Sequence, residues 1–387
     1  MSIITEVELI EFDHTVVRRY DRRGEPLNAA EPTSRTTRRF GIRIRTDDGA
    51  EGGYVVMWSA PPYAIAQVKA MAGSLVGRDL HDREAIWDGF NGGFAKTDRI
   101  GAGAIDIALW DATGKLAGLG ISQLLGRYRD RLPAYVSTVG GGSGLGTLAS
   151  ADSYRDFADE CASLGVPGFK IHGRSAGTAK DEIEIFGATA EGSAGRSDIM
   201  TDPGKSLPTL AAALKLGRFC DEVGAFWWED PLRGDAPLAH RILRERVRTP
   251  LLITEFVRGL ELRTALALDG ATDFLRADPE LDLGITGVMK TAHAAEALGL
   301  DVEVHAAGPA QRHCMAAIRN TSYYELGLLD PTTGNPSLPE VFADDYAEDL
   351  SAVGDDGCVG VPAGPGLGVT YDWDRIEKLN ADRTTFR

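Results

Sequence analysis

The chain of 387 residues carries 41 Lys+Arg against 57 Asp+Glu, a formal charge of −16. So acidic a chain excludes a nucleic-acid binder, which needs a basic surface to neutralise phosphates, and disfavours attachment to anionic membrane. Hydrophobic residues at 43% and charged residues at 25% suit a folded protein with ample core, in one large or two medium domains, and exclude disorder.

The start, MSIITEVELIEF, is polar and lacks a signal-peptide pattern, and no apolar stretch reaches the roughly 18 residues of a membrane span, so a cytoplasmic protein is expected. Alternation predicts strands around Thr5–Phe12 and Thr37–Arg45, with a polar loop between them that holds Arg18, Arg19, Arg22 and Arg23. Thr46-Asp47-Asp48-Gly49 reads as a turn into a further strand at Gly52–Val56. From Pro62 to about Leu125 the period changes: Ile105, Ala108, Leu109 and Ala112 recur at i, i+3, i+4 and i+7, which predicts a helix with one apolar face. The first 128 residues therefore read as a small α+β domain.

From Leu132 short apolar runs alternate with amphipathic helices. The runs are Ala134–Ser137, Gly168–His172, Asp198–Asp202, Phe226–Glu229, Leu251–Glu255, Phe274–Asp278, Val302–His305 and a weaker Tyr323–Glu325. Helical stretches such as Tyr154–Leu164, Leu210–Val223 and Thr286–Leu298 lie between them. Eight strands alternating with helices predict a parallel sheet, and eight units over about 200 residues fit a closed barrel better than an open doubly wound sheet. The absence of GxGxxG after the first strand weighs further against a dinucleotide fold. Residues 129–355 are assigned to this barrel. The glycine-rich segment 356–387 has no place in it and is expected to return to the N-terminal domain. Cys161, Cys220, Cys314 and Cys358 lie far apart with no CxxC, so neither a disulfide framework nor a zinc ribbon is implied.

Most of a buried parallel strand is apolar, yet seven of the eight runs end in or just before a polar group, at the end where barrels place their active sites. Asp202, Glu229 and Glu255 come from three consecutive strands. One such carboxylate alone would cap the next helix or pair with a surface lysine. Three converging on one mouth cannot all ionise without a cation among them, and hard oxygen ligands with room for water match Mg²⁺ rather than zinc. Lys170 and His172 are two apart on one strand and so face the same way, into the barrel mouth. The lysine can hold a carboxylate or, with its pKa lowered, act as a base. Asp278 and His305 end neighbouring strands, where the aspartate can fix the imidazole tautomer and leave the other nitrogen for proton transfer.

These residues, with Ile105-Asp106-Ile107-Ala108-Leu109-Trp110-Asp111, Gly114-Lys115, Leu124-Leu125-Gly126, Trp228-Glu229-Asp230-Pro231, Gly284-Ile285-Thr286-Gly287 and Pro365-Gly366-Leu367-Gly368, resemble the enolase superfamily and, within it, the mandelate racemase/muconate lactonizing enzyme group, mandelate racemase subgroup. The resemblance covers nearly the whole chain. It implies an α/β fold, a modified TIM barrel (β/α)7β with an N-terminal α+β capping domain. It implies Mg²⁺ held by Asp202, Glu229 and Glu255, a His305–Asp278 acid/base dyad, and Glu325 on the last strand as a hydrogen-bond partner of a substrate carboxylate. A homo-oligomer, dimer or octamer, is implied in the same way. One departure matters: where the subgroup usually has Lys-x-Lys, with the second lysine as base, this chain has Lys170-x-His172, so His172 either fills the second acid/base place or binds a hydroxyl. The third strand continues Pro203-Gly204-Lys205, without the histidine that some sugar-acid dehydratases use as general acid there.

The expected activity is Mg²⁺-dependent dehydration of a hydroxylated sugar acid or diacid, an aldonate or a tartrate-like compound, to a 2-keto-3-deoxy acid, a hydro-lyase reaction of carbohydrate catabolism. The polar, arginine-rich loop from Tyr20 to Thr33 is expected to cover the mouth, and Met57–Pro62 to supply a more apolar wall. The alternative is a racemase, epimerase or cycloisomerase that moves a proton between His172 and His305. A non-catalytic metal-binding scaffold is disfavoured, because every position it could lose carries a group able to react.

Overall fold

The computed structural model describes residues 1–27, 33–58, 62–173, 178–233 and 236–387. The capping sheet is antiparallel and has the order β13-β1-β2-β3, with β1 at Ile4–Arg18, β2 at Thr33–Thr46, β3 at Glu51–Val55 and β13 at Asp382–Phe386. Leu9 lies opposite Ile42 on one side and Thr384 on the other. Both long strands outrun the segments expected from alternation, because the ladder continues through polar pairs such as Thr15 and Thr36 once the register is set.

The barrel strands are β4 (Arg131–Thr138), β5 (Gly168–His172), β6 (Asp198–Asp202), β7 (Trp228–Glu229), β8 (Leu251–Ile253), β9 (Phe274–Ala277), β10 (Asp301–Val304) and β11 (Tyr324–Leu329). They run parallel, with β11 beside β4 and the others following in chain order to β10. Helices 151–163, 179–193, 210–223, 237–244, 260–268, 284–297 and 309–317 fill the intervals, which makes a modified TIM barrel. Ser150, Thr178 and Thr209 cap three of these helices by accepting a backbone N–H three residues on. Between β10 and β11 a bond from Val302 N–H to the Asn320 carbonyl crosses the seam. A short antiparallel strand, β12 (Cys358–Gly360), pairs with the start of β4 before the chain passes back to the capping sheet.

Helix Ile100–Ala117 joins the two halves. It is buried on nearly all sides, not on one face, because the capping sheet packs against it on one side and the barrel on the other. Small residues permit this: a Cβ on Gly103 would lie 2.4 Å from the Glu280 carbonyl oxygen. The motif carboxylates are the glue. Asp106 accepts from the backbone N–H and hydroxyl of Thr286, and Asp111 accepts from Leu367 N–H and Gly53 N–H, each at 2.8 Å in the latter pair. Gly366, with φ +70°, has no room for a side chain beside Asp111.

Candidate active site

The candidate residues meet at the barrel mouth: His172, Asp202 and Glu229 close β5, β6 and β7, Glu255, Asp278 and His305 follow the ends of β8, β9 and β10, and Lys170 and Glu325 lie within β5 and β11. Glu255 follows a sharp break: Thr254 has φ +98°, an unusual conformation for a β-branched residue. Its hydroxyl donates to the Arg276 carbonyl at 2.9 Å and accepts from Arg276 N–H at 3.0 Å, which holds the turn that presents Glu255.

Asp202, Glu229 and Glu255 offer carboxylate oxygens within 4.8 Å of one another, the only such group among the described residues. Behind them Asp230 is fully buried with neither carboxylate oxygen hydrogen-bonded, and burial together with Glu255 and Glu229 pushes its pKa well up. Burial and the neighbouring Glu229 and Asp202 also raise Glu255, against the pull of His305. Three hard oxygen donors converging in front of an unpartnered buried carboxylate fit a divalent cation.

Lys170 is fully buried, 2.8 Å from Glu229 Oε2, 2.8 Å from Glu325 Oε1 and 3.7 Å from Asp202 Oδ2. Burial opposes its charge, but Glu229 and Glu325 outweigh burial and hold its pKa well above the ordinary value. His172 is less enclosed. Its Nδ1 lies 2.8 Å from the Thr138 carbonyl, which can only accept, so Nδ1 carries a proton; Nε2 lies 3.2 Å from Asp202 Oδ2. That second contact is a hydrogen bond only when the imidazole holds two protons.

His305 Nδ1 is 2.6 Å from Asp278 Oδ2, and its Nε2 is 3.7 Å from Glu255 Oε1. Burial lowers its pKa, but Glu255 and Asp278 more than reverse this and raise it to about 9. A cation held by Glu255 would offset the Glu255 part of this attraction and leave that of Asp278. The far side of the ring meets Trp58 edge-on, with centroids 5.7 Å apart. Glu325 accepts from Lys170, from Arg276 and from Ala306 N–H at 2.8 Å; burial would raise its pKa, but Lys170 and Arg276 hold it well below the ordinary value.

His172, His305 and Glu325 line one cavity, together with Met57, Trp58 and Leu338. Of the wall expected from Met57 to Pro62, residues 59–61 lie outside the described residues. Of the arginine-rich loop, residues 28–32 do so too. Its described part packs on the segment after β4, at the rim of the mouth, with Gly142 against Arg22 and Gly144 against Tyr20. Arg18, Arg19, Arg22 and Arg23 are exposed.

Arg276 was not among the candidate residues, although it stands at the centre of the site. It is fully buried on β9, with Nε 2.6 Å from Glu229 Oε1 and Nη2 donating to Glu229 Oε2 and the Tyr135 hydroxyl, both at 2.8 Å. Its parity was readable: it lies two residues before Asp278 and so shares that inward face.

The profile of the mandelate racemase/muconate lactonizing enzyme N-terminal domain matches residues 12–126, and that of the enolase C-terminal domain-like fold matches residues 153–375. A D-galactarolactone cycloisomerase of Agrobacterium fabrum is 28% identical over 357 residues, 87% of this chain and 90% of that protein. A D-mannonate dehydratase of Caulobacter vibrioides is 26% identical over 373 residues, with 87% and 90% covered. The solved structure of a D-glucarate dehydratase from Agrobacterium tumefaciens complexed with magnesium matches with a TM-score of 0.83 at 30% identity, covering 97% of this chain and 98% of that one. With both halves matched and the carboxylate cluster at the barrel mouth, this chain belongs to the mandelate racemase/muconate lactonizing enzyme family of the enolase superfamily.

Proposed function

We propose that the protein is a Mg²⁺-dependent dehydratase of a hydroxylated sugar acid or diacid. The observation that carries this reading is the meeting, at one barrel mouth, of the carboxylate triad, the Asp278-backed His305 beside Glu255, and the buried Lys170 beside Glu229. Asp202, Glu229 and Glu255 would hold Mg²⁺, which when bound supplies positive charge to a carboxylate that becomes doubly negative.

His305 Nε2 takes the proton α to the substrate carboxylate, and the C–H electron pair moves into that carboxylate to give an enediolate. Asp278 stabilises the imidazolium so formed. Lys170 stabilises the developing charge without giving up its own proton. The electron pair then returns and expels the β-hydroxyl, which leaves as water with a proton from His172; the resulting enol becomes a 2-keto-3-deoxy acid. Glu325, with Lys170 and Arg276 on its oxygens, serves as an acceptor for a substrate hydroxyl rather than as a donor to a carboxylate.

A second reading, proton transfer between His172 and His305 in a racemase, epimerase or cycloisomerase, draws support from the two imidazoles sharing one cavity and from the cycloisomerase relative. A panel of aldonates and aldarates with Mg²⁺, followed by semicarbazide absorbance of 2-keto acids, separates the two. Deuterium incorporated from solvent without ketone formation overturns the dehydratase and favours the isomerase. Failure to bind both Mg²⁺ and acids overturns both.

A further inference from the structure

The turn after β9 carries three carboxylates at a spacing of two, Asp278, Glu280 and Asp282, and only the first, Asp278, belongs to the dyad. The second, Glu280, is 1% exposed and reaches out of the barrel into the capping domain. It accepts from the Tyr54 hydroxyl at 2.6 Å, from Met57 N–H at 2.6 Å and from Trp58 N–H at 3.0 Å. From the opposite side Arg39, on β2, donates to the carbonyls of the same two residues, Met57 at 2.8 Å and Trp58 at 2.9 Å. One peptide segment is thus gripped at its donors by an anion from the barrel and at its acceptors by a cation from the cap. Both grips are charge-assisted, the stronger kind of hydrogen bond, and the Glu280 carboxylate is withdrawn from water.

The grip is tied directly to the dyad. Glu280 N–H donates to Asp278 Oδ1 at 2.7 Å, while Asp278 Oδ2 meets His305. Trp58, the residue so held, packs edge-on against the same imidazole. His305 is therefore located from two directions, by Asp278 and by Trp58, and one two-residue turn sets both.

We infer that Glu280 and Arg39 form a latch that fixes Met57 and Trp58 as the roof of the cavity, and that Glu280 is a positioning residue that aligns the cap with the dyad. Its catalytic consequence rests on the reading of His305 as the base; the latch itself does not. A free-standing loop would leave the Trp58 ring able to swing off His305 and admit water to Nε2. The latch removes that freedom before substrate arrives.

Amide hydrogen exchange at residue resolution on the full chain tests this without a substrate. In Glu280→Ala the amides of Met57 and Trp58 exchange at least about tenfold faster than in the wild type. Gly53, whose N–H is held in the same sheet by Asp111, keeps its rate. Glu280→Gln, with one acceptor oxygen left, falls between, and Arg39→Met speeds the same two amides from the other side. Unchanged exchange at Met57 and Trp58 overturns the latch, as does equal acceleration at Gly53, which would mean general loosening. Should Glu280→Ala not fold, Glu280→Gln and Arg39→Met decide the matter by the same amides. Once a substrate is known, kcat of Glu280→Gln falls at least about tenfold with Mg²⁺ affinity unchanged. A wild type without turnover on any acid removes the His305 reading, and the exchange rates still decide the latch.

Discussion

Asp278→Asn is the most discriminating substitution in the site. Asp278 Oδ1 accepts from Glu280 N–H at 2.7 Å, so an asparagine must keep its oxygen there and turn its NH₂ toward His305 Nδ1. A donor then faces the nitrogen that now carries the proton. The imidazole answers by moving that proton to Nε2, and the lone pair that should take the substrate proton is gone. The charge effect acts in the same direction. Removing one unit charge roughly 3.5 Å from the imidazolium costs about 5 kcal/mol at an effective dielectric of about 20. That corresponds to a loss in kcat of about 10³–10⁴-fold, the range expected when a buried aspartate behind a catalytic histidine is neutralised. The assay is steady-state 2-keto acid formation, with a Mg²⁺ titration by calorimetry as control, since no metal-ligand candidate is altered. A loss smaller than about tenfold with metal binding intact would refute the dyad and the base assignment with it.

Asp202→Asn and Glu255→Gln each weaken Mg²⁺ binding by more than about 100-fold in calorimetry, and dialysis against chelator abolishes wild-type turnover until Mg²⁺ is restored. His172→Asn keeps deuterium exchange at the substrate α-carbon while ketone formation drops at least about 100-fold; a near wild-type rate would make His172 a binding residue only. His313 is a buried staple whose Nδ1 accepts from Ser122 N–H and whose Nε2 donates to the Leu367 carbonyl, and burial lowers its pKa from 6.5 to about 4. The unfolded chain therefore binds a proton below pH 6.5 that the folded chain refuses until about 4, so stability is lost as pH falls through that window. The loss is about 3 kcal/mol, and urea unfolding of His313→Gln at several pH values shows a profile flatter than the wild type by that amount.

Much of this architecture could be read from residues alone. Short apolar runs ending in charged residues located the barrel strands, and spacing of two placed Lys170 with His172 on one inward face. What escaped has physical causes. Arg276 sits inside an apolar run, and a single charge there reads as noise until its ion partners on other strands are known. Glu280 acts across a domain boundary on backbone atoms of residues more than two hundred positions earlier, which no local pattern encodes. Helix Ile100–Ala117 follows an i, i+3, i+4 pattern on one face, but its other face is small rather than polar, a signature of burial between two layers. The role of Asp106 and Asp111 as struts was likewise invisible, since a carboxylate in a helix is usually solvated.

The pairing of β13 with β1 has a consequence for how the chain is made. β1 leaves the ribosome before any barrel strand, yet one of its edges stays bare until β13 emerges, after every barrel strand has been synthesised. During that interval an unpaired edge of a long strand is open to other chains. The barrel can close around its own local βα units while the cap waits, so the cap matures after the barrel. Since the cap carries Trp58 and the far half of the latch, a nascent chain would gain its metal cluster before its roof, and binding of a cation would precede competence for chemistry.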